Sequence, residues 1–471
     1  MSLRNLLMHR KGTNTPPFDK GGRGGIYGDK SPATTAKSPQ APRCKRGGWL
    51  WFLAALVALP AGAADEFKDY PDLPPLKQVA AAMANSPAVL AAQGGIGLEQ
   101  ANQARLEAGP HETAVRLGGA RRSANDLNQP SARYKEWDIG LERPIRLPGK
   151  AALDGELGRQ GVAEARLMYG DALHEAGRSV LKLWFGWMRE HFQASQWQAQ
   201  VDALRQQLDI VNKRVRAGDA PRLDALLAEA AQAQAEASLQ QARLREQMAA
   251  TELTRRYSGI TLPDKPVLAV PEPVKEDLGF WHERILQHNH ELGVARAEVK
   301  RWQLLTSRAQ ADKIPDPTVG LRYGSERDGM EKLVGLSVVI PLPGGARSAA
   351  AQGALAQSDI AVQREAGVLR KLETEIANGY LAAQSAYDAW QKTDTVAERM
   401  RSNASLMQRA YSLGEAGLNE VLTARRQSLE AGLAAVLAQT DAAEARYRLM
   451  LDAHLLWPLD ADEGEAEHAH Y

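Results

Sequence analysis

The sequence predicts a mainly α-helical chain with a small β part, built as two tandem copies of one long antiparallel helical hairpin unit. Three observations carry this. Ala, Gln, Glu, Arg and Leu dominate the composition, with 10 Trp against 6 Phe, a usage suited to long helices. No proline interrupts the stretch from Gly149 to Arg216, far longer than an ordinary globular helix. The chain also repeats itself. "IGLERPIRLPGK" from Ile139 aligns without a gap with "VGLSVVIPLPGG" from Val334, an offset of 195 from Gly140 to Gly335. "RAGDAPRLDALLAEA" from Arg216 aligns with "SLGEAGLNEVLTARR" from Ser412, an offset of 196 from Gly218 to Gly414. A looser match sets Asn85-Ser86-Pro87 beside Asn289-His290, so three blocks recur in one order.

The chain has 471 residues and a formal net charge of +1, which gives no bulk pull toward nucleic acid. Residues 1–45 are rich in Pro, Gly, Ser and Lys and read as a disordered or over-extended start. Residues 46–64, "RGGWLWFLAALVALPAGAA", read as a signal peptide: a basic flank, a short apolar run, then Ala61-Gly62-Ala63. Cys44 is the only cysteine and precedes that run, so the mature chain has no disulfide framework or cysteine metal site.

Two repeats follow, at 65–257 and 276–457, joined by 258–275, whose four prolines exclude a helix, with an acidic, histidine-bearing tail at 458–471. In each repeat a first helix (about 73–108 and 276–312) precedes two short alternating segments. A very long helix then runs to a glycine turn and another helix returns from it. Ala-rich faces in the long helices allow close axial approach, as in packed antiparallel coiled coils.

The alternating segments read as strands with one apolar face. Val115 and Leu117, then Trp137, Ile139 and Leu141, fall on one face in the first repeat. Val319, Leu321 and Tyr323, then Val334, Leu336 and Val338, do so in the second, with Gly335 and Ser337 opposite. This alternation fits a membrane barrel wall or a half-buried soluble sheet. Four strands cannot close a barrel by themselves, since about eight is the minimum. Strands in lipid would therefore have to be shared among several chains. At the strand ends, Pro148-Gly149 and Pro343-Gly344 mark a switch from period two to period 3.6, proline ending the ladder and glycine relaxing the join.

The signal peptide, the doubled architecture, "GLERPIRLPGK" and "GLSVVIPLPGGAR" at the strand ends, and the paired turns "RAGDAPRLDAL" and "YSLGEAGLNEVL" together resemble the outer membrane factor family. These are the TolC-like exit ducts of Gram-negative tripartite efflux systems. The resemblance covers residues 70–457, and "PIRLPGK" at Pro144 is similar to the heavy-metal CzcC-like subgroup. It implies a homotrimer in which each chain gives four transmembrane strands to a twelve-stranded barrel in the outer membrane lipid, continued by a periplasmic helical tunnel. It implies a passive channel without cofactor, served by a periplasmic adaptor (membrane fusion protein) and an inner-membrane transporter of the RND type that selects the substrate, heavy-metal cations in the subgroup. The turns at Gly218, Asp219, Gly414 and Glu415 would dock the adaptor. Tyr411, Glu420 and Asp224 would form the pore gate, with three copies of Glu420 as a cation-selective ring. Ala416 and Thr423 depart from the family's pattern, implying a weaker latch and a single acidic ring.

No catalytic or phosphate-binding motif occurs, and no enzyme activity is expected. "HNH" at 288–290 reads as solvated surface, and His468 and His470 as part of an acidic tail; no metal site is assigned. The alternative is a structural periplasmic coiled-coil stalk with no transport role, which would be found in the soluble fraction.

Overall fold

The computed structural model describes residues 68–125 and 130–459. The extension and signal peptide read over 1–64, Cys44, and the tail from residue 460 with His468 and His470 lie outside those residues. The chain divides into Met1–Gly62 and Ala63–Tyr471, and all described residues belong to the second unit.

The described part begins with α1 (Leu76–Ala84) and α2 (Pro87–Ala108), followed by strands β1 (Ala114–Ala124) and β2 (Ala132–Pro144). The long helix α3 (Pro148–Ala217) and its return helix α4 (Arg222–Arg256) complete the first half. The second half repeats the order: α5 (Leu278–His288), α6 (His290–Ala311), β3 (Thr318–Glu326), β4 (Glu331–Val339), α7 (Gly345–Leu413) and α8 (Leu418–Asp452). At 70 residues α3 is about 105 Å long, taking 1.5 Å per residue.

The single first helix expected in each half is two helices. The break falls in the looser of the three matching blocks. The Ser86 hydroxyl accepts a hydrogen bond from the Val89 amide and Pro87 takes the first helical position, where no N–H is needed. In the second half the Asn289 side chain caps α6 by accepting from the Leu292 amide at 2.8 Å. A side-chain cap that satisfies a new helix start competes with continuing the old one.

The four strands form one antiparallel sheet in the order β1-β2-β3-β4. Pairing of β2 with β3 joins the two halves, and β1 and β4 are left as edges. Helix α3 packs against α2, α4, α6 and α8, and α7 against α6 and α8. The largest core lies at the middle of α3. Val180, Leu181, Trp184, Phe185 and Met188 meet Val79 and Met83 of α1, Leu253 and Tyr257 near the end of α4, and Tyr447 and Leu451 of α8. The chain end folds into it with Leu456, Trp457 and Leu459. Asp72 ties this core: its carbonyl accepts from the Trp184 indole and its carboxylate from the Tyr447 hydroxyl, both at 2.7 Å. Burial, with that carboxylate beside it, pushes the Tyr447 phenol well above its usual range.

Candidate functional site

The helix turns are built twice by one device. Gly218 ends α3 with φ 80° and Gly414 ends α7 with φ 78°, the left-handed conformation that glycine adopts without steric cost. The Gly218 amide donates to the Val215 carbonyl and Asp219 to Arg214. The Gly414 amide donates to Tyr411 and Glu415 to Ala410. These paired bonds satisfy the last carbonyls of each long helix and reverse the chain. Asp219 and Glu415 are both exposed on the turns.

The returning helices differ. Glu420 reaches back to accept from the Gly417 amide at 2.7 Å, a one-way cap for the start of α8, since glycine has no side chain to return the bond. Asp224 is its counterpart in α4, but the capping position there is Pro221, which has no amide hydrogen to give. Glu420 is therefore held at the helix start while Asp224 is not held in this way, and the Glu420 side chain remains exposed.

Tyr411 is interior to the tip, 3% exposed, in a cluster with Val211 of α3, Ala228 of α4, and Leu418 and Val421 of α8. The Arg214 guanidinium lies 4.7 Å from its ring centroid, a cation–π contact, and also donates to its carbonyl. Of the sequence-nominated gate residues, Tyr411 thus locks the two hairpins together, while Glu420 and Asp224 sit at the starts of the return helices. No sequence signal marks Arg214: the repeat alignment sets it against Ala410 and gives no hint that it crosses to the other hairpin.

At the other end of the hairpins the sheet carries the apolar residues on one side. The register pairs Val115 with Leu141, Leu117 with Ile139, Ile139 with Tyr323, and Leu141 with Leu321. Leu321 pairs in turn with Leu336, Tyr323 with Val334, and Val319 with Val338. All of these side chains and Trp137 are exposed, Leu117 at 76% and Leu336 at 80%. The opposite side is ionic: Arg122 bridges Glu136 at 3.0 Å and Glu326 at 2.9 Å, Arg322 meets Asp138 at 3.2 Å, and Arg116 meets Glu142 at 3.7 Å. A face this apolar and this exposed needs a partner phase.

The strand-to-helix joins are not equivalent. Pro148 is the first residue of α3, whereas α7 starts at Gly345, beyond Pro343, with Gly344 as its extended cap. Neither Gly149 nor Gly344 takes a positive φ, so the relaxing role expected of these glycines is not used. The two joins also differ in their ion pairs. Lys150, 2% exposed, bridges Asp312 at 3.0 Å and Asp316 at 2.9 Å, while Arg308 bridges Asp154 at 2.6 Å. Lys150 and its hydrogen bonds hold the Asp316 carboxyl low against the opposing effect of burial. The second repeat places Gly345 where the first has Lys150 and carries no such lock.

His288 and His290, expected on a solvated surface, are half-buried, because Asn289 between them is the buried cap of α6. Among the described residues no group of His, Asp or Glu is arranged to hold a metal ion. None of their helices is long and apolar enough to cross a membrane, a statement that does not bear on strands.

Residues 281–451 match the model of the outer membrane efflux protein family. No curated protein matches the chain. Among solved structures, the chain is similar to the CmeC outer membrane channel of Campylobacter jejuni, with 14% identity, 83% of this chain and 88% of that chain covered, and a TM-score of 0.69. It is also similar to the outer membrane protein VceC of Vibrio cholerae (17% identity, 80% and 95% covered, TM-score 0.66). The open-state MtrE outer membrane channel of Neisseria gonorrhoeae gives 16% identity, 81% and 88% covered, and a TM-score of 0.65. The second half of the chain thus carries the outer membrane efflux protein domain, and the chain as a whole shares the fold of these outer membrane channels.

Proposed function

We propose that the protein is the outer membrane exit duct of a tripartite efflux system, a passive channel with a large periplasmic part. One observation supports this above the rest: a four-stranded sheet with one exposed apolar face, one ion-paired face and two open edges, mounted on helices about 100 Å long. Such a sheet satisfies its edges and its apolar face together only by closing with other copies in lipid. Three copies would give the twelve strands of a closed barrel, with Val115, Leu117, Trp137, Ile139, Leu141, Val319, Leu321, Tyr323, Val334, Leu336 and Val338 toward lipid. The ionic face would line the lumen.

In the same reading the glycine turns point away from the barrel and dock a periplasmic adaptor, which couples the duct to an inner-membrane transporter. The heavy-metal substrate class rests on the "PIRLPGK" resemblance alone. The decisive experiment is reconstitution of the purified mature protein into planar bilayers. Discrete cation-preferring conductance steps are expected, together with recovery from cells in the outer membrane fraction. A chain found only in the soluble periplasm and silent in bilayers would be a stalk protein instead.

A further inference from the structure

Three histidines from separate places in the chain, His174, His288 and His290, meet around a fourth, His454, just beyond α8. Its ring centroid lies 5.6 Å from that of His174 in α3, 5.6 Å from His288 at the end of α5 and 5.1 Å from His290 at the start of α6. Two backbone features hold the group together. His454 has φ 55°, and its amide and that of Leu455 make the same paired bonds that end α3 and α7. Those two helices place glycine at that position, whereas here an imidazole carries the strain of a left-handed residue. Gly170, in the interior of α3, lets the His290 ring rest against the helix: a Cβ there would lie 2.6 Å from the ring's Cε1.

Around the rings stand Asp171 and Glu175 of α3, Glu291 of α6, Glu375 of α7 and Asp452 of α8, together with Arg178 of α3, Arg284 of α5, Lys371 of α7 and Arg448 of α8. Burial favours the neutral form of His174. Burial would also raise the Asp452 carboxyl, but the His174 hydrogen bond and the charges of Arg178 and Arg448 override it and keep it ionised. Among the described residues no group of His, Asp or Glu is arranged to hold a metal ion, and imidazoles packed ring beside ring are groups that take up protons. Each proton taken up adds a positive charge to a cluster in which His174 and His454 are buried and the other rings stand close by.

We propose that His174, His288, His290 and His454 form a proton-operated latch. Neutral rings tie the α5–α6 elbow and the end of α8 to the middle of α3; protonated rings release them. The sign follows from His174: a buried neutral imidazole stabilises the fold above the ordinary histidine pKa of about 6.5, and that contribution is lost as pH falls below it. The test is hydrogen exchange of the purified protein at about pH 7.5 and about pH 5.5, corrected for intrinsic rates, and it is read without any transport assay. Amides of 278–292 and 449–456 are expected to exchange about 10-fold faster at the lower pH, while those of 411–421 at the tip do not change. His454→Gly keeps the left-handed backbone and removes the central ring, and should cut this response to about 2-fold or less. His174→Gln should do the same if the glycine variant folds poorly. No acid response in the natural protein, or an undiminished one in both variants, overturns the latch.

Discussion

Tyr411 and Glu420 lie nine positions apart in sequence, but the structure gives them different work. The Tyr411 ring is packed inside the tip under Arg214, so its loss would leave a cavity among Val211, Ala228 and Val421. Tyr411→Ala should destabilise the tip by about 3–5 kcal/mol, as for other buried aromatics, while Tyr411→Phe keeps the ring and the cation–π contact and should cost about 1 kcal/mol or less. Proteolysis at the turns reads the difference: the alanine variant should be nicked between α3 and α4 or between α7 and α8, the phenylalanine variant not. Glu420 separates two roles in one carboxylate. Glu420→Gln keeps an oxygen for the Gly417 amide but removes the charge, whereas Glu420→Ala removes both and should cost about 1 kcal/mol of capping. If three copies surround the pore axis, the Gln variant alone should lower cation preference and weaken block by trivalent cations in single-channel recordings. Unchanged selectivity would mean that the residue is a helix cap and nothing more.

At the scale of elements, the repeat made the strand faces, the long helices and the glycine turns legible, because each was written twice with its special residues in register. The first-helix break was not legible in the same way. Asn85-Ser86-Pro87 and Asn289-His290 served to align the halves, although Ser-Pro is also a helix-start signal, and propensity alone cannot say when a cap outcompetes a continuing helix. Nor could the sequence show Lys150 with Asp312 and Asp316, more than 160 positions apart, since that lock depends on the two halves pairing through β2 and β3. The turns allow a clean test. A Cβ on Gly218 or Gly414 meets open space, so Gly414→Ala should pay only the backbone cost of about 1–2 kcal/mol and retain export. Gly414→Trp adds bulk on the surface assigned to the adaptor and should abolish export while assembled protein remains in the membrane. The sheet faces are tested in the same spirit. Leu336→Arg on the apolar face should cost about 2–4 kcal/mol near mid-membrane, and Ser337→Arg on the ionic face should assemble normally. Equal tolerance would mean that the sheet does not enter lipid.

For the whole molecule, the edges β1 and β4 decide the assembly. The described sheet has four strands, and a barrel needs about eight. In the proposed duct each β1 would meet the β4 of another copy, and a head-to-tail contact of this kind closes a ring or grows without limit. In the proposed duct the hairpins favour closure, since each sheet is tied to two long helices that would pack beside those of the next copy. The test uses a chain with Cys44 replaced by serine, a fixed cysteine at Leu117 on β1 and a second cysteine walked along residues 333–338 of β4. Where Cα atoms of neighbouring copies come within about 4.4–6.8 Å, oxidation should link them. Denaturing gels should then show covalent dimers and trimers and nothing larger, at alternate positions of the walk because the strand period is two. A ladder that runs past the trimer would mean an open polymer. Only intramolecular links would mean that the sheet closes within one chain, and the shared barrel would be lost with it.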